Sequence, residues 1–380
     1  MLKRLFIALA ITAAGAGSVV FVASTGLISA QRDDGNVIHA CVHNRSDLVR
    51  IVEADEDCQK NEEAMQWNIY GPQGPQGPEG PQGPAGLGYN PIQVALLRWY
   101  EAIETDHTYA VGGTPRALTF DGANIWVANR TRYNVMKIRA SDGALLGTYS
   151  TEPSYSPGAL VFDGANIWVG DIGKDVVTKL RASDGAILGT YPVGERPEGL
   201  AFDGANIWVA NLDSDNVMKI RASDGALLGT YPVGNTPWGL AFDGANIWVA
   251  NQGSDDVMKL RASDGALLGT YPVGNMPKWL AFDGANIWVA NRASDNVMKL
   301  RASDGAILDT YAVGNNPTNL AFDGANIWVA NSADDNVMKI RASDGTLLGT
   351  YPAGVGPYAL AFDGANMWVA AQGSQDVMKK

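Results

Sequence analysis

The hydrophobic and polar positions of this chain repeat with a period of about forty residues between Phe120 and Lys380. One unit contains four short apolar runs, in the order GLAFDG, ANIWVAN, NVMKIRA and ALLGTYPVG. These runs are rich in β-branched and aromatic residues, and the FDGAN and ASDGA segments between them have the composition of tight turns. The pattern therefore predicts four antiparallel strands per unit. Both alternating faces of the IWVA run are apolar, which predicts a strand that is covered on both sides.

The number of units follows from one tryptophan that recurs in each of them. Successive copies lie forty residues apart, except for a first step of forty-two, at Trp126, Trp168, Trp208, Trp248, Trp288, Trp328 and Trp368. A period of this length, built from strands, is typical of a propeller. The predicted fold class is all-β, a seven-bladed β-propeller with four-stranded blades.

The ends of the repeat region predict how the propeller closes. The last unit stops at Lys380 after its third strand, and its missing fourth strand is found at the front of the region. There, residues 108–112 (TYAVG) match residues 230–234 (TYPVG) of a complete unit. We therefore expect the first strand to complete the last blade, which would remove an open sheet edge, and we place the propeller at residues 107–380.

The repeat PxGLAFDGANIWVANxxSDNVMKI resembles the YVTN and NHL propeller repeats, with WVAN at the position of the YVTN motif. The resemblance covers residues 107–380 and implies the propeller fold. It does not specify a function, because propellers of these families include lyases, hydrolases, DNA-binding proteins and pure binding scaffolds.

Residues 1–30 have the composition of an export segment. Lys3 and Arg4 precede an apolar run without charge, and the next charged residues are Arg32 and Asp33. This pattern fits a cleaved signal peptide, and the run is also long enough for an uncleaved membrane anchor. Both alternatives predict an extracellular or cell-envelope location for the rest of the chain.

Residues 35–70 contain the only two cysteines, Cys41 and Cys58. In an exported chain such a pair predicts a disulfide, and a metal site that also uses His39 and His43 is the alternative. The segment resembles the small two-cysteine modules that precede collagen-like repeats in bacterial surface proteins.

Residues 71–88 form the next predicted segment, and residues 89–106 are a linker. The first of these contains five consecutive Gly-Pro-X triplets over residues 71–85. Glycine at every third position is what a collagen triple helix requires, so a homotrimeric stalk is one expectation and a stiff monomeric spacer is the other.

The charge of the chain argues against nucleic-acid binding. The formal net charge is −12, and residues 107–380 contain 21 Lys and Arg against 27 Asp and Glu, a balance of −6. The regular Lys-x-Arg pairs of the third strands are spread evenly over the units. No basic patch is predicted, so we expect no nucleic-acid partner.

The units differ from one another mainly in two loops, the one after WVAN and the one around VGxxPxx. In a four-stranded blade both loops lie on the same face, so this varied face is the predicted place for ligand binding. The residue after the loop proline begins the innermost strand, at the mouth of the central channel. Around the ring this residue is Arg116, Gly158, Glu198, Trp238, Lys278, Thr318 and Tyr358, with Trp279 and Asn319 one position later.

This ring predicts ligand contacts of two kinds. Two exposed tryptophans would stack on a sugar ring or hold a peptide side chain, and the charged and amide groups would orient the ligand. Residues of the other loop would form an outer rim, namely Arg130, Arg132, Tyr133, Lys174 and Arg292. The alternative is that these loops vary because they carry no part of the core.

Catalysis finds less support in the sequence. Virginiamycin B lyase resembles this propeller, and the resemblance implies a mechanism that depends on histidine, glutamate and a metal. Here the only propeller histidine is His107, and no glutamate follows Glu198. The aspartates of FDG and SDG are expected to bond to nearby backbone. No cofactor is predicted, although calcium is an alternative for the varied-face aspartates Asp213, Asp215, Asp255, Asp256, Asp334 and Asp335.

Together these patterns favour a non-enzymatic exported protein that displays a ligand-binding propeller on a collagen-like stalk. The expected ligand is an extracellular glycan, peptide or protein. Two alternatives stay open, a metal-dependent lyase or hydrolase resembling virginiamycin B lyase and a purely structural surface protein.

Overall fold

The computed structural model describes residues 18–23, 26–31, 37–43, 49–52, 57–68, 107–151 and 156–380. The chain divides into two compact units, Met1–Leu96 and Leu97–Lys380. The predicted collagen-like segment, the linker at 89–106 and residues 1–17 of the predicted export segment lie outside the described residues. No helix in the described part of the chain is long and apolar enough to cross a membrane.

The first unit contains two small antiparallel sheets. Strand β1 (Ser18–Ala23) pairs with β2 (Gly26–Gln31), and β3 (Val37–His43) lies between β4 (Val49–Val52) and β5 (Glu62–Asn68). A disulfide joins Cys41 to Cys58, with 5.5 Å between the two Cα atoms, and Cys41 is fully buried. This confirms the predicted pairing, and because both thiols are used in it, the metal-site alternative is wrong.

The second unit is the predicted propeller of seven four-stranded antiparallel sheets, with the strand order 1-2-3-4 in each blade. The innermost strands are β7 (Pro115–Phe120), β11 (Pro157–Phe162), β15 (Pro197–Phe202), β19 (Pro237–Phe242), β23 (Pro277–Phe282), β27 (Pro317–Phe322) and β31 (Pro357–Phe362). The second strands are β8 (Asn124–Asn129), β12 (Asn166–Asp171), β16 (Asn206–Asn211), β20 (Asn246–Asn251), β24 (Asn286–Asn291), β28 (Asn326–Asn331) and β32 (Met367–Ala371).

The third strands are followed by a turn and then by the outermost strands. The third strands are β9 (Asn134–Arg139), β13 (Val176–Arg181), β17 (Asn216–Arg221), β21 (Asp256–Arg261), β25 (Asn296–Arg301), β29 (Asn336–Arg341) and β33 (Asp376–Lys379). The outermost strands are β10 (Leu145–Ser150), β14 (Ile187–Pro192), β18 (Leu227–Pro232), β22 (Leu267–Pro272), β26 (Ile307–Ala312), β30 (Leu347–Pro352) and, in blade 7, β6 (His107–Ala110). One short 3-10 helix, Arg130–Arg132, follows β8.

The hydrophobic core lies between consecutive blades. Trp208 of blade 3 is fully buried and packs in one cluster with Leu240 and Ile247 of blade 4, and equivalent clusters recur around the ring. The same arrangement joins Trp368 of blade 7 to Ile125 of blade 1. This explains why both faces of the IWVA strand are apolar, because each blade covers the next.

The FDGAN turns hold the core tryptophans in place. The Asp203 carboxylate accepts hydrogen bonds from the indole Nε1 of Trp208, at 2.8 Å, and from the backbone N–H of Ala205 and Asn206. Burial by itself would raise the pKa of Asp203, but these hydrogen bonds outweigh it and lower that pKa. The predicted structural role of the turn aspartates is confirmed, and the same bonds recur in the other blades.

Lysines of the third strands link neighbouring blades. Lys219 Nζ lies over the Trp208 ring and donates a hydrogen bond of 2.6 Å to the carbonyl of Ala262 in the next blade. The lysine is only 6% exposed. These lysines of the regular Lys-x-Arg pairs therefore serve blade packing rather than a cationic surface.

The ring closes as predicted, because β6 pairs antiparallel with β33 of the last blade, with Tyr109 opposite Val377. The Tyr109 ring stacks on Trp368 at 5.4 Å between ring centroids. It also lies against Gly143 of blade 1, where an added Cβ would lie 1.8 Å from the tyrosine ring. Tyr109 thus contacts both blades at the closure.

We expect Tyr109→Ala to lower the free energy of unfolding of the full chain by about 2 kcal/mol, since it removes a half-buried aromatic ring. The repeats supply a matched control, Tyr191→Ala, because Tyr191 stacks on Trp168 and against Gly225 in the same way. The four strands of blade 2 are consecutive in the chain, whereas β6 of blade 7 is held to β33 only by non-covalent contacts. Urea unfolding should show the larger loss for Tyr109→Ala, and equal losses would show that the closure behaves like any other blade junction.

Candidate functional site

The two varied loops lie on one face of the propeller, as predicted. In blade 3 the backbone N–H of Leu212, after WVAN, donates to the carbonyl of Arg196, in the loop before the proline. At the other end of the same blade, the N–H of Ala222 donates to the carbonyl of Ala205, which joins the two regular turns. One face is therefore built from near-identical turns, and the varied loops form the other.

The positions after the loop prolines lie on the innermost strands, which follow one another around the ring and close from β31 back to β7. Five of these residues, Arg116, Glu198, Trp238, Lys278 and Tyr358, converge at the channel mouth, and we call them the channel cluster. Their side chains are largely buried, with Glu198 2% and Lys278 3% exposed.

The expectation of two exposed tryptophans at this mouth is wrong. Trp238 is only 9% exposed, because Lys278 and Arg116 cover its ring. Trp279 is half-buried and packs into the core cluster between blades 5 and 6. Neither tryptophan is fully exposed at the channel mouth.

Arg116 and Glu198 form the central ion pair. Arg116 Nη2 lies 2.8 Å from Glu198 Oε1 and 2.7 Å from Oε2, although the two residues belong to blades 1 and 3. The guanidinium reaches across blade 2, where the corresponding ring position is Gly158. A Cβ at Gly158 would lie 2.9 Å from Ile172 and 3.6 Å from Arg116 Nε. The tight contact is with Ile172, whereas the contact with Arg116 would be an ordinary van der Waals distance.

Lys278 lies between two aromatic rings. Its Nζ is 4.7 Å from the centroid of Trp238 and 4.2 Å from that of Tyr358. Arg116 approaches the same rings, with Cζ 5.8 Å from the centroid of Trp238 and 5.3 Å from that of Tyr358. Two cations from blades 1 and 5 therefore share the π faces of blades 4 and 7.

Three predicted ring residues lie outside this cluster. Thr318 Oγ1 lies 3.1 Å from the carbonyl oxygen of Pro357 and 3.3 Å from that of Ala330, and its one hydroxyl proton can be donated to either. Asn319 Oδ1 accepts a bond of 3.3 Å from the N–H of Leu360. Together with Trp279, these side chains join blades 6 and 7 or pack the core rather than pointing into one common site.

The predicted rim divides into two groups. Arg130 and Arg292 lie close enough for their charges to act on Tyr358 in the channel cluster. Arg130 Nε donates to Ser156 Oγ, and Arg292 Nε donates to Asn316 Oδ1. Both arginines thus have neutral hydrogen-bond partners.

The other rim residues lie farther out. Arg132 Nε donates to the carbonyl of Gly112. Tyr133 has left-handed backbone geometry with φ 55° and is 46% exposed. Lys174 is exposed in the loop of blade 2.

Arg196 is a cluster neighbour that the sequence comparison missed. Its Nε lies 3.3 Å from Glu198 Oε1, and its Nη1 lies 3.8 Å from Asp213 Oδ1. The predicted ring residues follow the loop proline, whereas Arg196 directly precedes it. The available signal was that Arg196 is a second charged residue close to Glu198 in the same varied loop.

The electrostatics of the site are dominated by positive charge. Arg116, Arg130, Arg196, Arg292 and Lys278 face the carboxylate of Glu198 and, at the rim, that of Asp213. Burial, followed by the charges of Arg292 and Arg116, lowers the pKa of Lys278 to about 7, and Glu198 opposes this shift only in part. Burial raises the pKa of Tyr358, so its phenol stays neutral at physiological pH.

The varied-face aspartates have structural partners. The Asp215 carboxylate accepts the N–H of Thr236, and the corresponding aspartates Asp255 and Asp335 accept those of Met276 and Gly356. Asp256 accepts from Asn251, and Asp334 accepts from Asn315. In the described ranges no three His, Cys, Asp or Glu side chains are grouped closely enough to hold a metal ion.

A cavity of about 470 Å³ opens on the regular face between blades 5 and 6. Its lining includes Asp283, Asn286 and Lys299 of blade 5 and Asn326 and Arg341 of blade 6. These residue types recur at nearly every blade junction, so the cavity belongs to the repeat. The channel cluster, in contrast, occurs once in the molecule and is the candidate site.

No protein-family model matches the chain, and no curated protein matches it. Among solved structures, the chain is similar to a streptogramin B lyase, with 18% identity, a TM-score of 0.63, and coverage of 72% of this chain and 96% of that one. A catalytically inactive virginiamycin B lyase from Staphylococcus aureus with quinupristin is 16% identical, with a TM-score of 0.63 and coverage of 72% and 98%. Hydrazine synthase of Kuenenia stuttgartiensis is 17% identical, with a TM-score of 0.61 and coverage of 73% and 98%. At these identities the likeness shows the propeller fold alone.

Proposed function

We propose that this chain is a non-enzymatic binding protein whose varied face recognises an extracellular glycan, peptide or protein. The observation that supports the proposal is the channel cluster. Blades 1, 3, 4, 5 and 7 are near-copies elsewhere, yet each contributes a different charged or aromatic side chain to one place. Buried charges destabilise a fold unless they are paired, so a structural core alone gives no reason for this arrangement.

The proposal extends to the location of the protein. The basic start and apolar run of residues 1–30 support export or anchoring, and the five Gly-Pro-X triplets support a stalk that forms a homotrimer. Sedimentation of the full chain and of a variant lacking residues 71–85 tests the stalk. A trimer that persists without the triplets would place the assembly elsewhere.

The propeller fold is compatible with the lyase or hydrolase alternative, but the candidate catalytic residues do not favour it. His107, the histidine of the propeller region, lies on the outermost strand of blade 7, opposite Lys379, and not at the channel. Glu198 is bound by Arg116 and Arg196. Glu198 is engaged by two arginines and His107 lies away from the channel, so neither residue is placed to act as a general base there. Stoichiometric metal in the purified protein after dialysis against zinc and calcium would reopen the alternative.

The binding proposal predicts that arginines on opposite faces of blade 5 behave differently. Arg292 lies on the varied face beside the channel cluster, and Arg301 lies on the regular face in an exposed pair with Asp304. On glycan and peptide arrays, we expect the full chain to bind a discrete set of ligands. Arg292→Ala should weaken that binding about tenfold, equivalent to about 1.4 kcal/mol, and Arg301→Ala should leave it unchanged.

Two outcomes would contradict the proposal. Arrays on which no ligand is retained would remove the binding function. Equal binding by the wild type, Arg292→Ala and Arg301→Ala would show that ligands bind away from the varied face of this blade.

A further inference from the structure

Lys278 is a buried cation with too few partners. Its side chain is 3% exposed, and its Nζ contacts the Trp238 and Tyr358 rings but makes no hydrogen bond within the described residues. A protonated lysine has three N–H donors, and buried polar groups are almost always hydrogen-bonded. The two ring faces offer electrostatic attraction and no conventional acceptor. An acceptor beside Nζ would therefore be bound favourably.

Arg116 has a second unused donor in the same place. Its Nη2 is occupied by the two oxygens of Glu198, but its buried Nε has no hydrogen-bond partner among the described residues. Arg116 and Lys278 approach the same two aromatic rings, so both cations lie at the channel mouth.

The charges around this region favour an anion. The carboxylate of Glu198 is bound by Arg116 and Arg196, and Lys278, Arg130 and Arg292 form no ion pair with a carboxylate among the described residues. Among the described residues, the channel cluster and its neighbours Arg130, Arg196 and Arg292 supply five cationic side chains, which face the carboxylates of Glu198 and, at the rim, of Asp213. A cationic ligand would be repelled, and a neutral ligand would leave the positive charge unbalanced.

We propose that the channel mouth is a receptor for a carboxylate group, which accepts hydrogen bonds from Lys278 Nζ and Arg116 Nε. Two donors on neighbouring cations match the two oxygens of a carboxylate. Arg130 and Arg292, nearer the surface, would attract the ligand during approach. The inference rests on the proposed binding function and narrows its ligand to an acidic one, the carboxylate being that of a sugar acid or of a peptide C-terminus.

Binding of a carboxylate should be coupled to proton uptake by Lys278. The charged and titratable groups that face its amine are Arg116, Arg292 and Glu198, together with the neutral phenol of Tyr358. In the free protein, burial and the two arginines lower the pKa of Lys278 to about 7. A bound carboxylate favours the charged amine and raises that pKa. Between pH 7 and 9 the complex therefore holds more protons than the free protein, so affinity falls as pH rises.

The test uses isothermal titration of the full chain with D-glucuronate, and with D-glucose as the neutral control. We expect glucuronate to bind and glucose not to bind. At pH 7.5, the heats in buffers of different ionisation enthalpy should show proton uptake. Affinity should fall about tenfold between pH 6.5 and pH 8.5, because most of the free lysine loses its proton in that range. N-acetylalanine and its amide form the second arm, and binding of the acid alone would identify a peptide C-terminus as the source.

Two variants separate recognition from packing. Lys278→Met keeps an apolar stem of similar length and should lose both the carboxylate selectivity and the proton uptake. Lys278→Arg stays charged and should keep carboxylate binding but lose its pH dependence. A lysine that serves packing alone would not produce this difference. Proton uptake by the wild type decides the question even if a variant fails to fold.

Three results would overturn the inference. These are equal binding of charged and neutral probes, binding without proton uptake, and no binding of either carboxylate. If the arrays still retain neutral ligands that Arg292→Ala weakens, the proposed binding function stands and the carboxylate receptor alone is wrong. If nothing binds in either experiment, both are wrong.

Discussion

Glu198→Ala should lower the free energy of unfolding of this protein by about 3–5 kcal/mol, because it leaves the Arg116 guanidinium buried without its counterion. Arg116 is 8% exposed and Glu198 is 2% exposed, so water does not replace the lost carboxylate. Arg196 loses a partner as well. Urea unfolding of the full chain, followed by circular dichroism, measures the effect.

Two controls separate the buried pair from salt bridges in general. The double variant Arg116→Met with Glu198→Met removes both charges and should recover most of the lost stability, since paired apolar substitution of a buried ion pair is often close to neutral. Arg221→Ala breaks an exposed pair with Asp224 on the regular face, leaves the turn hydrogen bond from Ala226 N–H to Asp224 in place, and should have little effect. A loss as small for Glu198→Ala as for Arg221→Ala would show that Arg116 does not depend on the ion pair.

Trp248→Ala should lower the free energy of unfolding by about 3–5 kcal/mol, the usual effect of removing a fully buried large aromatic side chain. Trp248 is 0% exposed and stacks on Tyr271 at 5.4 Å. Its Nε1 donates a 2.8 Å hydrogen bond to Asp243, and Lys259 Nζ lies 5.1 Å above its ring. The substitution therefore creates a cavity between blades 4 and 5 and leaves the Asp243 carboxylate with one donor fewer.

Trp248→Phe separates packing from hydrogen bonding at the same position. It keeps an aromatic ring for Tyr271 and Lys259 but cannot donate to Asp243, so a loss of about 1–2 kcal/mol is expected. The melting temperature and the urea midpoint should rank the proteins as wild type, Trp248→Phe and Trp248→Ala. Equal losses in the two variants would assign the contribution of this residue to the hydrogen bond and not to the core.

The fold could be predicted because its determinants are local and repeated. The turns FDGAN and ASDGA define strand ends within a few residues, and seven copies of IWVA identify the doubly covered strand. The closing strand was recognisable because residues 108–112 copy a fourth strand whose place in the blade was already known. Each conclusion needed only neighbouring residues or a comparison of one unit with the next.

The candidate site was predicted in part. The position after each loop proline correctly placed Arg116, Glu198, Trp238, Lys278 and Tyr358 around the channel. The predicted exposure of the tryptophans was wrong, because the sequence does not show that lysine and arginine side chains from other blades cover the Trp238 ring. Thr318 also follows a loop proline, and Asn319 comes one position later. Both form hydrogen bonds between blades 6 and 7 instead.

The sequence by itself determined the number of blades, their four strands, the closing strand and the division into a regular and a varied face. Those features follow from a short hydrophobic period copied seven times. Only the tertiary structure decided that Arg116 reaches Glu198, 82 residues away, across Gly158, and that Lys278 lies between the Trp238 and Tyr358 rings. The reason is that closing the ring brings together side chains from blades that are far apart in the chain. Which of these side chains pair depends on their length and charge, and the repeat period does not determine this.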